Sequence, residues 1–167
     1  IPLPVPVPLY SPAITRTRLG LPERFVFLLV FDFLSVVERK NPQGVIDAFT
    51  TAFKAEEGPV LVIKSINGDK RLLELERLRA AISDRPDVRI VDSYYTEEEK
   101  NALLGACDCY VSLHRSEGLG LTMAEAMSLG KPVVATGYSG NLHFMTPENS
   151  FLVDYVKVSV PAGCDPY

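Results

Sequence analysis

Residues 109 to 136 read CYVSLHRSEGLGLTMAEAMSLGKPVVAT, and no other stretch constrains the fold as strongly. Cys109 to Leu113 is short, apolar and β-rich, the pattern of a buried strand. His114 to Gly120 is a polar loop ending in Gly118-Leu119-Gly120. Leu121 to Leu129 follows a helical pattern, with apolar Leu121, Ala124 and Met127 and a stop at Gly130. Pro132 to Ala135 predicts the next buried strand. A strand that enters a helix through a glycine loop suits phosphate. Glycine lets the backbone come close, and the first N–H groups of the helix point at the anion. The dipole at such a helix end stabilises an anion by roughly 0.3–1 kcal/mol.

Two acids frame the loop, Glu117 before it and Glu125 inside the helix, giving Glu-x7-Glu. Helical side chains lean toward the N-terminus, so Glu125 reaches back over the helix start. A carboxylate is repelled by phosphate, so each acid is better suited to hydroxyls flanking it. A diphosphate with a sugar on either side has that layout.

The rest of the chain alternates strands and helices. Ile1 to Pro12 is a proline-rich extended lead-in, and Gly20-Leu21-Pro22 turns into the first strand, Phe25 to Asp32. After a loop from Phe33 to Arg39, Asn41 caps a helix that begins at Pro42 and runs to about Lys54. Pro59 to Ile66 is a strand with an exit turn at Asn67-Gly68. Lys70 to Ile82 is an amphipathic helix with Leu72, Leu73, Leu75, Leu78 and Ile82 inward. Val88 to Val91 is a strand, and Thr96 with Glu99 forms a capping box for the next helix. Gly140-Asn141 begins a short helix, and Phe151 to Val158 is a sixth strand. This order implies βαβ units and a Rossmann-like parallel sheet with helices on both faces. Ligands of such sheets bind beyond the carboxyl ends of the strands, where Arg39, Lys40, Glu117 and Tyr138 to Asn141 fall.

A net charge of −4 argues against a nucleic-acid partner. Cys107, Cys109 and Cys164 form no disulfide framework, and with only His114 and His143 as histidines no metal site is expected. The cysteine usage fits a reducing compartment, so a cytoplasmic location is expected. Residues 1–22 read as an extended lead-in and 23–167 as one ligand-binding domain, a piece of a longer protein.

The segment SLHRSEGLGLTMAEAMSLGKPVVATGYSGN closely resembles the donor-binding half of GT-B glycosyltransferases, the retaining "group 1" or family 4 enzymes. Their hallmark is Glu-x7-Glu around a Gly-x-Gly loop, followed by Gly-Lys-Pro-Val. The resemblance runs from about Phe25 to Tyr155. It implies that residues 1–22 are an interdomain linker and that Arg39 and Lys40 hold the donor diphosphate and stabilise the departing nucleotide. The family's usual Gly-Arg after the first strand is absent, and Asp32-Phe33-Leu34-Ser35 stands there. Glu117 then lies at the transferred sugar and Glu125 at the ribose hydroxyls. Gly118, Leu119, Gly120, Leu121 and Thr122 offer amides to the sugar and phosphates. His114 faces the site, Gly140 and Asn141 touch the donor, and Tyr94 packs against the base. The implied activity is metal-independent sugar transfer from a nucleotide-diphosphate donor, with no cofactor. The implied partners are a nucleotide sugar and an N-terminal acceptor-binding half, through which the enzyme would associate peripherally with a membrane. Surface polysaccharide assembly is the family habit.

Other functions compete with this reading. A glycosidase pair needs two carboxyls across one bond, whereas here a phosphate cradle separates them. A nicotinamide site needs Gly or Ala at 123, where Met123 stands, and an acid near Gly137. A nucleotide-sugar epimerase or phosphorylase on the same plan, or a non-catalytic sensor of nucleotide sugars, stays open beside transfer.

Overall fold

The computed structural model describes residues 4–55 and 57–159. The extreme ends of the expected linker and ligand-binding domain, with Cys164, lie outside the described residues. Six strands form one parallel sheet: β1 (Val26–Asp32), β2 (Val60–Ile66), β3 (Val88–Asp92), β4 (Cys109–Ser112), β5 (Val133–Thr136) and β6 (Phe151–Val153). Their order is β3-β2-β1-β4-β5-β6. The chain winds outward from β1 to β3 and returns to β4 on the other side of β1. The β1/β4 seam is therefore the topological switch point, the crevice where such sheets bind ligands.

Among the described residues five α-helices flank the sheet: α1 (Val37–Lys40), α2 (Pro42–Ala52), α3 (Leu72–Ala81), α4 (Glu97–Ala106) and α5 (Leu121–Ser128). The strands are apolar on both faces because both faces are covered. Val26, Leu28, Val60 and Val62 pack with Leu103 and Leu104 of α4 and Met123 and Ala126 of α5. Leu29, Phe31, Leu61 and Ile63 point the other way, onto Val45, Ile46 and Phe49 of α2 and Leu75 and Leu78 of α3. The period of two along each strand sorts these sets.

The predicted caps form. The Asn41 side chain accepts from the Gly44 amide at 3.3 Å, with Pro42 opening α2. Thr96 and Glu99 close a reciprocal box at 3.1 and 2.9 Å. Four expectations change. Leu72 and Leu73 are exposed, because one face of α3 is covered and Leu75 and Leu78 fill it. Leu121 is exposed as well, and Met123 and Ala126 form the buried face of α5. The sixth strand stops at Val153, since only three of its residues pair with the four-residue β5. The segment after β1 is not simply a loop: a 3-10 turn spans Phe33–Ser35, and Arg39 and Lys40 occupy the last turn of α1.

One ion pair anchors the entry to β3. Arg85 grips Asp87 with two bonds, Nε to Oδ1 at 2.8 Å and Nη2 to Oδ2 at 2.6 Å, and also donates to the Thr50 and Phe53 carbonyls. Asp87 is buried, and its bond from Arg85 holds its carboxyl below the usual range against the push of burial. Arg85→Ala strands that carboxylate without its partner. The expected cost is about 3 kcal/mol, read as a lower urea midpoint at unchanged m-value.

Candidate functional site

The switch point holds a hollow of ≈ 260 Å³. Val30 of β1 and Tyr110 and Ser112 of β4 form its floor. Tyr110 and Ser112 alternate along β4, so both side chains emerge on the α5 face of the sheet. Burial pushes the Tyr110 phenol up, so it stays a neutral hydrogen-bonding group, and it lies 3.4 Å from the Val30 carbonyl. The start of α5, Leu119 through Met123, makes one wall. Gly120 caps that helix at φ 86°, in the left-handed region that a side chain disfavours.

Lys40 and Glu117 form the opposite wall. They are 77 residues apart in sequence, and Lys40 Nζ donates to Glu117 Oε2 at 2.6 Å. Arg39 Nη1 lies 3.6 Å from the same oxygen and donates to the Ser116 carbonyl at 3.0 Å. The Arg115 amide donates to the Arg39 carbonyl at 2.8 Å, tying the two loops together. Burial pushes the Glu117 carboxyl up, but the Lys40 hydrogen bond and the charges of Lys40 and Arg39 outweigh it and hold the acid below its usual range. Arg39 and Lys40 do not stand at the start of α2. They sit at the end of α1, where the dipole favours them, because left-handed Asn41 breaks the chain between α1 and α2.

Glu117 is held from behind. Ser139 Oγ donates to its carbonyl at 2.7 Å, and the Gly140 amide donates to the same oxygen at 3.0 Å. A Cβ on Gly140 would lie 1.9 Å from the Gly118 carbonyl oxygen, so only glycine permits this approach. His114 and Asn141 do not face the hollow. The His114 ring is buried, with Nε2 at 3.0 Å from the Tyr138 carbonyl and 3.2 Å from Asn141 Oδ1, and Nδ1 at 3.1 Å from Ser112 Oγ. Asn141 is wholly buried and donates to the Thr136 carbonyl at 3.1 Å. The pair locks the β5 exit loop that supports Glu117.

Glu125 is not on the hollow. It faces a neighbouring groove beside α4 and pairs with Lys100 at 3.2 and 3.3 Å. The groove's other wall is the lead-in, Pro6 to Leu9, strapped to α4 by Asn101 Nδ2 on the Leu9 carbonyl at 3.0 Å. Tyr94 stands apart at the carboxyl end of β3, its exposed ring anchored through a hydroxyl bond to Asn67 Oδ1. The site thus unites Arg39, Lys40, Glu117 and Leu119 to Thr122, with Glu125 next door. Sequence reasoning missed Tyr110 and Ser112, which strand alternation could have revealed. It also missed Lys100, which the acidic run before it disguised. Cys107 and Cys109 are buried, which pushes their thiols up to about 12 and about 11. Neither is a nucleophile at neutral pH. Among the described residues no three His, Cys, Asp or Glu side chains are grouped to hold a metal ion, and no helix is long and apolar enough to cross a membrane.

A parallel sheet in this order, covered on both faces and open at its switch point, is a Rossmann-like fold. Residues 22–158 match the family described as "Glycosyl transferases group 1", and the chain belongs to that family. It is 31% identical over 129 residues to the alpha-monoglucosyldiacylglycerol synthase of Streptococcus pneumoniae, covering 76% of this chain and 28% of that protein. Anabaena HepE, solved with UDP and glucose, superposes with a TM-score of 0.67 at 22% identity, over 86% of this chain and 39% of HepE. Sucrose-phosphate synthase from Thermosynechococcus elongatus gives 0.67 at 24% identity, over 87% and 36%. The chain therefore spans well under half the length of these relatives.

Proposed function

We propose that this chain is the donor-binding part of a retaining glycosyltransferase that takes a nucleotide-diphosphate sugar. One observation carries the reading: Lys40, with Arg39 behind it, reaches the acid that opens the glycine loop, across a hollow walled by the start of α5. The diphosphate sits over the Leu119–Thr122 amides and takes Lys40 and Arg39 as counter-charges. Glu117 then accepts from hydroxyls of the transferred sugar. Glu125, one groove away, serves the ribose. HepE's UDP and glucose complex supports this ligand class by likeness of fold.

In the transfer step the bond from the sugar's anomeric carbon to the phosphate oxygen breaks. The acceptor oxygen bonds the same carbon on the same face, and its proton passes to the leaving phosphate. The chain's part is to position the donor and to stabilise charge developing on that phosphate. The two cations and the helix start supply that stabilisation without a metal ion. The acceptor and any membrane contact belong to an N-terminal half, and the protein works on the cytoplasmic side.

Calorimetry on the full-length protein with UDP-, GDP- and ADP-sugars tests the donor, followed by an acceptor panel, since this part alone should transfer little or nothing. Nucleotide released only when an acceptor is added is the expected result. Binding without release over the panel favours the sensor, and conversion of the sugar without acceptor favours an epimerase. No binding of any nucleotide sugar sinks the proposal.

A further inference from the structure

Lys64 is a buried lysine on the sheet face that carries the hollow. It lies in register between Val30, which floors the hollow, and Val91 of β3. Neighbouring strands are about 4.8 Å apart, so Lys64 sits one strand from the hollow toward the β3 exit. Val60 and Val62 hold the preceding places on the same face, and an aliphatic residue there would avoid the cost of burying an ammonium. Among the described residues no carboxylate forms an ion pair with Lys64. Asp92, nearest in charge, spends Oδ1 on Ser65 Oγ at 2.9 Å and Oδ2 on the Gly68 amide at 3.1 Å. Burial pulls the Lys64 pKa down and Asp92 only partly offsets it.

The ammonium instead binds backbone. It donates to the Ser65 carbonyl at 2.9 Å and to the Ser93 carbonyl, and it lies 4.3 Å from the centre of the Tyr95 ring. Its contacts beyond its own strand thus fall on the β3 exit, Ser93 to Tyr95. The Ser93 amide is bonded to the Ser65 carbonyl, but among the described residues the Tyr94 and Tyr95 amides have no protein acceptor. A charge on the Ser93 carbonyl polarises the peptide it shares with Tyr94 and strengthens that open N–H as a donor. Glu97 and Glu98, which line the groove beside Glu125, open α4 and follow this segment in the chain after Thr96 alone.

We propose that Lys64 is a positioning residue for the nucleoside end of the donor: it clamps Ser93 to Tyr95 so that the open amides meet acceptors on the base. This rests on the donor reading above. The diphosphate lies at the hollow, outside the reach of this clamp, so Lys64 acts on the nucleoside alone.

The test is calorimetry with inorganic pyrophosphate, UDP and GDP on the wild-type protein and on Lys64→Met. The variant should bind pyrophosphate as the wild type does. It should bind the better nucleoside diphosphate roughly 10- to 100-fold more weakly, the span expected for losing a charged hydrogen bond. An unchanged nucleoside affinity, or an equal loss on pyrophosphate, overturns the proposal. Should Lys64→Met not fold, Tyr95→Leu removes the ring beneath the ammonium and is judged by the same selective loss. A wild-type protein that binds none of the three probes refutes the donor reading itself. Wild-type binding of all three with an unaffected variant refutes only the role of Lys64.

Discussion

Replacing Lys40 with alanine is expected to weaken nucleoside diphosphate binding by about 10- to 100-fold, the weight of one charged hydrogen bond. In the proposed transfer the same charge acts on the leaving phosphate, so the full-length enzyme's rate should fall further, by about 100-fold or more. Glu117→Gln separates the two partners of the ion pair. It keeps the shape and removes the charge that now occupies Lys40. Pyrophosphate should then bind at least as tightly as before, while the proposed transfer drops because the sugar hydroxyls lose a charged acceptor and keep only a neutral one. Calorimetry and initial rates check both. Equal pyrophosphate affinity in wild type and Lys40→Ala would end the assignment.

The same variant carries a pH signature. Glu117 is held below the usual carboxylate range because two cations outweigh its burial. A depressed acid contributes stability above its unfolded pKa, about 4.3, and loses that contribution as pH falls through the folded value. Lys40→Ala removes the larger cationic influence and leaves burial less opposed. Its Tm deficit should be greatest near neutral pH and should shrink as the acid protonates below about pH 4. A deficit that is constant from neutral to acid would mean that Glu117 does not feel Lys40 in solution.

The sheet was legible because its signals are local. Continuous apolar runs marked strands covered on both faces, and Asn41-Pro42 and Thr96-x-x-Glu99 announced helix starts with their own hydrogen-bonding partners. The meeting of Lys40 with Glu117 followed from one rule, that ligands lie beyond the carboxyl ends of strands. What stayed hidden depends on the third dimension. Leu72 and Leu73 share the chemistry of Leu75 and Leu78, and only the direction of the sheet decides which pair is buried. His114 and Asn141 stand near the site in sequence but turn inward, because each completes the other's hydrogen bonding. Glu125 shares a helix with the residues that wall the hollow, yet Lys100 from another helix draws it to the neighbouring groove. Lys64 gave no signal at all, since a lysine near a strand end reads as a solvated charge.

Gly140→Ala is expected to be as damaging to transfer as Lys40→Ala, although residue 140 offers no charge. Its methyl group would fall 1.9 Å from the Gly118 carbonyl oxygen and 3.0 Å from that of Glu117. Both are backbone atoms, so no side chain can swing aside. Either the Ser139–Gly140 turn retreats, which breaks the bonds to the Glu117 carbonyl, or the backbone from Glu117 to Leu119 moves away from it, the Gly118–Leu119 peptide most of all. Both routes shift Glu117 relative to Lys40. A displacement of about 1 Å at a reacting centre costs about 100-fold in rate, and overpacking adds about 1–3 kcal/mol of instability. Gly118→Ala is the control for stability, because a Cβ there meets nothing within 4 Å. Gly118→Ala should melt with the wild type, and Gly140→Ala should melt several degrees lower with transfer nearly abolished. If both alanines melt alike and Gly140→Ala still turns over, the turn after β5 does not hold Glu117 in place, and the acid must be fixed by Lys40 and Arg39 alone.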